Sequence, residues 1–261
     1  EYPVSWESFS TGVLENDAPA GSSYYNGLLV QVQKRLSNGL SIISNYAYSR
    51  AMEEDLYLNP TDTSPEKMVS PFDITNHFVL GATYQLPFGT GDRVNFHSRW
   101  ANGLLGGWTV NGIYMYQTGL PVVWDNSDYL YVGGPWDWNP TQTGEEYVKG
   151  KLQALPSFNT AVFNTTSADQ PEYSIRTFPE AFSYLRYDST NDLDCSLLKD
   201  FNFSESKFLE LRFEAFNALN RPQFGGTSDS LNVTPTNSSF GVITKQSNIS
   251  RAIQLGARFV W

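Results

Sequence analysis

Ile253-Gln254-Leu255-Gly256-Ala257-Arg258-Phe259-Val260-Trp261 closes the sequence. Its odd positions are apolar and end in aromatics. Its even positions, Gln254, Gly256, Arg258 and Val260, are mostly polar or small. A side-chain period of two is that of a β-strand with one apolar face.

The same alternation recurs upstream. In 207–217 Leu209, Leu211, Phe213 and Ala215 oppose Glu210, Arg212 and Glu214. In 192–201 Leu193, Cys195, Leu197 and Phe201 oppose Asp192, Asp194, Ser196 and Asp200. In 77–86 the apolar phase is Phe78, Leu80, Ala82, Tyr84 and Leu86, and in 108–117 Trp108, Val110, Tyr114 and Tyr116 share a face. In 24–35 Leu28, Val30 and Val32 oppose Gln31, Gln33 and Arg35, and 40–50 carries a weaker pattern through Ile42, Tyr46 and Tyr48. These segments predict about seven strands.

Composition says what the apolar faces meet. Aromatic residues make up 15% of the 261 residues and charged residues only 17%, against roughly 25% in an ordinary soluble domain. Yet mean hydropathy is negative, and no run approaches the roughly 18 apolar residues of a transmembrane helix. A transmembrane β-barrel reconciles these facts, because only every second residue of its strands meets lipid. Strands of about 10 residues, rising ~3.3 Å per residue and tilted, span its apolar band. The predicted connections also suit a barrel. Ser37-Asn38-Gly39 and Ser204-Glu205-Ser206 are tight, 87–107 is intermediate, and 51–75, 119–190 and 218–250 are long. Short turns belong to the periplasm and long loops to the exterior, which puts Trp261 on the periplasmic side.

Seven strands do not close a single-chain bacterial barrel, which has an even number. An open edge in hydrocarbon leaves backbone groups unpaired at several kcal/mol each. The expectation is therefore a sheet completed by strands outside this sequence. The start, Glu1-Tyr2-Pro3 without Met or a signal peptide, likewise suggests a processed chain or a piece of a longer one. A net charge of −10 argues against nucleic acid, and one cysteine excludes an internal disulfide framework.

Several runs, in this order, resemble the C-terminal barrel of Oar-like TonB-dependent receptors of acidobacterial type. They are Ser70-Pro71-Phe72-Asp73-Ile74-Thr75-Asn76-His77-Phe78 with Tyr84-Gln85-Leu86-Pro87-Phe88-Gly89, and Leu104-Leu105-Gly106-Gly107-Trp108-Thr109-Val110-Asn111-Gly112 with Thr118-Gly119-Leu120-Pro121. Further along come Phe213-Glu214-Ala215-Phe216-Asn217-Ala218-Leu219-Asn220-Arg221-Pro222-Gln223-Phe224-Gly225, Phe240-Gly241-Val242-Ile243 and the closing Ser250–Trp261 segment. The resemblance runs from about Tyr24 to the end, apart from 122–185. It implies an all-β, antiparallel barrel of roughly 22 strands, of which residues 1–261 are the C-terminal part, with 119–190 a long extracellular loop. It implies energised uptake of a bulky substrate, with TonB contacted through an N-terminal plug region not read in this sequence. By analogy, Phe259 and Trp261 are the signal for the barrel assembly machinery. The partners implied are outer-membrane lipid, that machinery, TonB and the remaining strands, from the same or another chain.

No Gly-rich phosphate loop, Ser-His-Asp order or zinc spacing is present, so no enzyme, cofactor or metal is expected. His77 and His97 read best as structural or interfacial polar residues, and Cys195 as a small apolar strand residue. Asp192, Asp194, Glu210 and Glu214, beside Arg212, could be paired acids but fit an ion-paired lumen wall better. Asn164-Thr165-Thr166 and Asn232-Val233-Thr234 match a glycosylation pattern that means nothing in a bacterial outer membrane. The candidate substrate contacts are Trp124, Asp125, Asp128, Trp136, Asp137 and Trp138. Exposed Trp beside Asp and Asn grips sugars or offers oxygen ligands to Ca²⁺; the competing reading is a loop packed on itself. Two further functions stand beside uptake. One is an accessory surface subunit that pairs strands with other chains. The other is a secreted β-sandwich that binds carbohydrate, which requires a second sheet on the apolar face.

Overall fold

A computed structural model of the chain describes residues 20–261, apart from positions 60, 90–92, 97, 125–131, 143–144, 149–150, 170–175, 177–178, 205 and 226–230. His97 and the first 19 residues lie outside the described residues. In order, the elements are β1 (Ser22–Ser37), β2 (Leu40–Glu54), β3 (Met68–Val69), β4 (Asn76–Gln85), α1 (Arg99–Leu105), β5 (Trp108–Gln117), β6 (Pro121–Val123), β7 (Glu145–Val148) and β8 (Lys151–Ala154). There follow β9 (Ala181–Arg186), β10 (Thr190–Asn202), β11 (Phe208–Phe216) and β12 (Ala252–Val260).

The seven predicted strands are all present and form one antiparallel sheet in chain order, β1-β2-β4-β5-β10-β11-β12, with β3 beside β2. The register explains why the alternation persists across it. Leu40, Tyr84, Val110, Leu197, Phe213 and Leu255 stand opposite one another on six successive strands. One residue along, Ser41, Thr83, Asn111, Ser196, Glu214 and Gln254 do the same. Side chains one residue apart point to opposite faces, so the sheet has a continuous apolar face and a continuous polar one. Cys195 falls on the apolar face between Gly112 and Ala215, and His77 on the polar face between Ala47 and Gln117.

No second sheet covers the apolar face among the described residues. Leu255, Phe259 and Trp261 are exposed there, whereas a self-contained sandwich would bury them. The sheet does not close on itself: its path ends at β1 and at β12.

The connections sort by end. Turns at Asn38-Gly39 and 203–207, with the 86–107 connection, share one end. Gly39 at φ +79° and Asn38 at φ 55° supply the left-handed pair that a two-residue hairpin needs. The intermediate connection holds α1, which sequence periodicity did not reveal. Ser98 caps its start, and the Asn102 side chain ties it to Phe96 through both the Phe96 N–H and C=O. The three long connections share the other end, and there the molecule keeps its enclosed hydrophobic core, built of Val122, Trp124, Phe158, Val162, Leu185, Phe240 and neighbours rather than of sheet residues. The 119–190 stretch is thus no open loop; it contains β6 to β9, with β6 paired to β9 and β7 to β8.

Candidate functional site

Two regions hold the chemistry: the polar wall of the sheet and the folded cap above its long-loop end.

The wall is built by β10, β11 and β12. Arg212 on β11 sits between two acids of its own strand face, 2.8 Å from Glu210 and 3.9 Å from Glu214. Its guanidinium is well exposed, so the pairs are screened and hold a charge pattern more than they hold the fold. Arg258 lies opposite Glu210, and Gln254 opposite Glu214. Asp194 accepts the backbone N–H of Asn217 at 2.9 Å and so fixes the exit of β11. Asn111 reaches across to the Ser196 hydroxyl at 3.2 Å. The four carboxylates expected on one face are there. Arg212 joins two of them, Glu210 and Glu214, and Asp194 is held by the Asn217 N–H.

The cap grows from the end of β5. Thr118 accepts the Asn76 backbone N–H at 3.2 Å, and the next residues turn into β6, which pairs with β9 through Pro121 and Arg186. Trp124 follows β6 and donates its backbone N–H to Glu180. Trp136 and Asn159 are joined by a backbone hydrogen bond, and Ser157 donates its N–H and hydroxyl to the Gly241 carbonyl. That contact brings the 217–251 connection onto the 118–189 one. The aromatic rings converge: Trp124 and Trp136 lie 5.4 Å apart, Trp124 and Phe163 5.2 Å, and Phe158 meets Phe240 edge-on at 5.2 Å. Tilted and edge-on pairs of this kind add roughly 0.5–1.5 kcal/mol each to the gain from burial.

Buried charges fasten the cap to the strands below. Asp73 is fully enclosed. It accepts the Ala51 N–H at 2.6 Å and the Thr75 hydroxyl at 3.1 Å, and pairs with Arg186 at 2.5 Å. Arg186 also donates to the Gly119 carbonyl. Asp188 pairs with Arg221 at 3.1 Å and takes the Phe224 N–H at 3.2 Å. Arg176 donates to the Trp124 carbonyl, while its own backbone N–H goes to the Asn59 side chain at 2.6 Å. Beside it, burial pushes the Glu66 carboxyl above the ordinary range, against the pull of Arg176 and the Glu180 N–H.

These placements correct part of the sequence reading. The tryptophans were expected at the surface. Trp124 is completely enclosed and Trp136 nearly so. Trp138 packs against the same core and donates its indole N–H to the Arg186 carbonyl at 2.7 Å. The reason is that a loop this long, seeded with Phe158, Phe163, Phe182 and Tyr187, has enough apolar surface to build a core of its own. Asp137 is exposed with φ 49°, and Asp125 and Asp128 lie outside the described residues. Among the described residues no three His, Cys, Asp or Glu side chains come together as a metal site. Phe259 and Trp261 stack at 6.1 Å at the short-turn end.

Sequence reading passed over Asp73, Arg176, Arg186, Asp188 and Arg221 as functional positions. Yet Asp73 and Arg221 sit inside the runs quoted above as family-like. Asn217, in the same run as Arg221, has φ 47° and donates to the carbonyls of Arg221 and Ile249. Those runs are fasteners between strand ends and cap.

A family model described as an outer membrane beta barrel domain matches residues 3–254, nearly the whole chain. No curated protein and no solved structure matches it.

Proposed function

The chain belongs to the outer membrane beta barrel domain family and is an outer-membrane protein; from that premise we propose that it is the barrel part of a TonB-dependent receptor, a non-enzymatic transporter for energised uptake of a bulky substrate. The observation that carries the size of the assembly is the open sheet. Seven strands with a continuous apolar face end at β1, 16 residues long, and at β12, with no partner for either edge among the described residues. In hydrocarbon both edges must be paired, so further strands complete a wider barrel. The motif order that resembles Oar-like receptors supports a barrel of roughly 22 strands and the link to TonB through a plug.

In this reading the apolar face meets lipid and the Arg212-centred wall lines the lumen. The cap lies outside the cell and the short turns lie in the periplasm. The enclosed aromatic core makes the cap a preformed lid edge, so substrate meets its outer polar residues, Asp137 among them, and not its tryptophan rings. Phe259 and Trp261 stand exposed at the strand end, available to the barrel assembly machinery.

The test is the native protein, isolated from outer membranes with an antibody against the cap. We expect an intact mass well above the 29.3 kDa of this sequence, heat-modifiable migration and capture by the periplasmic domain of TonB. A native chain of that smaller mass, cross-linked through β1 and β12 to other polypeptides and indifferent to TonB, would overturn the receptor reading and leave an accessory surface subunit.

A further inference from the structure

Helix α1 lies on the lipid side of the sheet, not beneath the lumen. The contacts fix this. Trp108, Lys199 and Phe201 all belong to the apolar face, through the pairs Trp108–Lys199 and Phe201–Leu209. The Trp108 indole N–H donates to the Leu104 carbonyl at 3.0 Å. The Lys199 ammonium donates to the carbonyl of Gly106, the residue that caps α1, and sits over the Phe201 ring at 4.6 Å. A lysine on a lipid-facing surface is costly unless its head finds oxygen atoms. Here the end of α1 provides one, which pins the helix against the outer wall. Gly107, at φ +67°, makes the tight return into β5 possible.

So held, α1 turns apolar side chains outward. Trp100 is 89% exposed, Leu104 64%, and Phe203 in the adjacent turn 65%. Between them runs a groove of about 700 Å³ lined by Trp100, Gly103, Leu104, Phe201 and Phe203. Its volume falls within the roughly 300–1,000 Å³ of small-molecule sites, and the side chains that line it are apolar. Water is a poor occupant for such a slot. The groove is continuous, through Phe201, with the face of the sheet that meets lipid. It lies at the short-turn end, where the bilayer gives way to water and where Trp anchors settle.

We infer that α1 is a membrane foot, embedded in the bilayer leaflet at the short-turn end, and that the groove beside it holds an acyl chain of a phospholipid from that leaflet. This rests on the lipid-facing assignment of the apolar face. A seven-residue helix is too short to be stable alone. Its N-cap, the Asn102 clamp and Lys199 make it rigid before lipid arrives, so the slot is preformed.

The test uses the full-length protein in phosphatidylethanolamine–phosphatidylglycerol vesicles, in a C195S background. A nitroxide at Trp100→Cys is compared with one at Leu255→Cys on the open sheet face. We expect both to be relaxed by oxygen and shielded from a water-soluble nickel chelate. An aqueous signal at position 100 with a lipid signal at 255 overturns the foot and leaves the barrel reading intact; aqueous signals at both overturn the barrel reading itself. The groove is read separately through Gly103→Trp, at a position where an added Cβ meets nothing within 4 Å and the indole can enter the groove. Native mass spectrometry should show at least one fewer phospholipid retained per chain than in the parent protein. Unchanged lipid retention overturns the acyl-chain slot.

Discussion

Arg186 closes on Asp73 across the base of the cap, with Nη2 2.5 Å from the carboxylate and Nη1 2.9 Å from the backbone carbonyl of the same residue. One arginine thus holds both ends of an aspartate in the connection that follows β2, while its own strand, β9, belongs to the connection that follows β5. The carboxylate has no solvent exposure, and Arg50 stands 3.9 Å away as a second, looser cation.

Removing one partner of a buried pair leaves the other charge stranded, at a cost of about 3–5 kcal/mol. Asp73→Ala should therefore loosen the cap from the sheet by an amount in that range. Hydrogen exchange at 119–124 and 181–187 should accelerate, while exchange within β4 and β5 stays slow. The Asp73→Ala/Arg186→Ala double variant should lose less than the sum of the two single losses. Additive losses would mean that the pair is not coupled.

The enclosed core makes a second expectation. Trp124→Ala should cost about 3–5 kcal/mol of cap stability, in the range for buried aromatic truncations. Limited proteolysis should then cut within 132–169 in the variant, with the strand region still heat-modifiable on a gel. A variant as resistant as the parent would show that the rings do not hold the cap together.

The two faces of the sheet should answer differently to charge. Leu255→Arg, in the middle of β12 on the apolar face, should destabilise the folded barrel in vesicles by about 2–4 kcal/mol. Gln254→Arg, its neighbour on the polar face, should be close to neutral. Urea unfolding in lipid vesicles measures both. Equal penalties would mean that lipid does not bathe one face alone.

Glu66 should make the docking of the 55–69 segment sensitive to pH. Burial raises its pKa, so the docked segment favours the protonated carboxyl. That contribution is complete below the ordinary value of about 4.3 and is lost as pH climbs through the raised one. Protection of the amides around Met68 should fall over this window, and Glu66→Gln should flatten the fall. A parent protein whose protection rises over the same window would contradict the sign.

The seven strands were legible because each carries its own period of two, and the register shows why: rows such as Leu40 to Leu255 keep every strand in phase with its neighbours. The cap was not. Its core draws Val122, Phe158, Leu185 and Phe240 from positions far apart in sequence, with no period to betray them. Trp-Asp dipeptides look alike on a surface and in a core, and only tertiary contact tells them apart. α1 was hidden for a different reason: seven residues hold barely two turns, and its fasteners, Lys199 and Phe96, lie outside it.

In the proposed orientation the aromatic cluster sits in water while the strands sit in oil, and the two parts are therefore held by different forces. The cluster depends on water's aversion to apolar surface, which weakens with cold and urea. The strands depend on backbone pairing that hydrocarbon makes obligatory. A urea scan should show two separate events, the upper storey dissolving before the wall beneath it gives way.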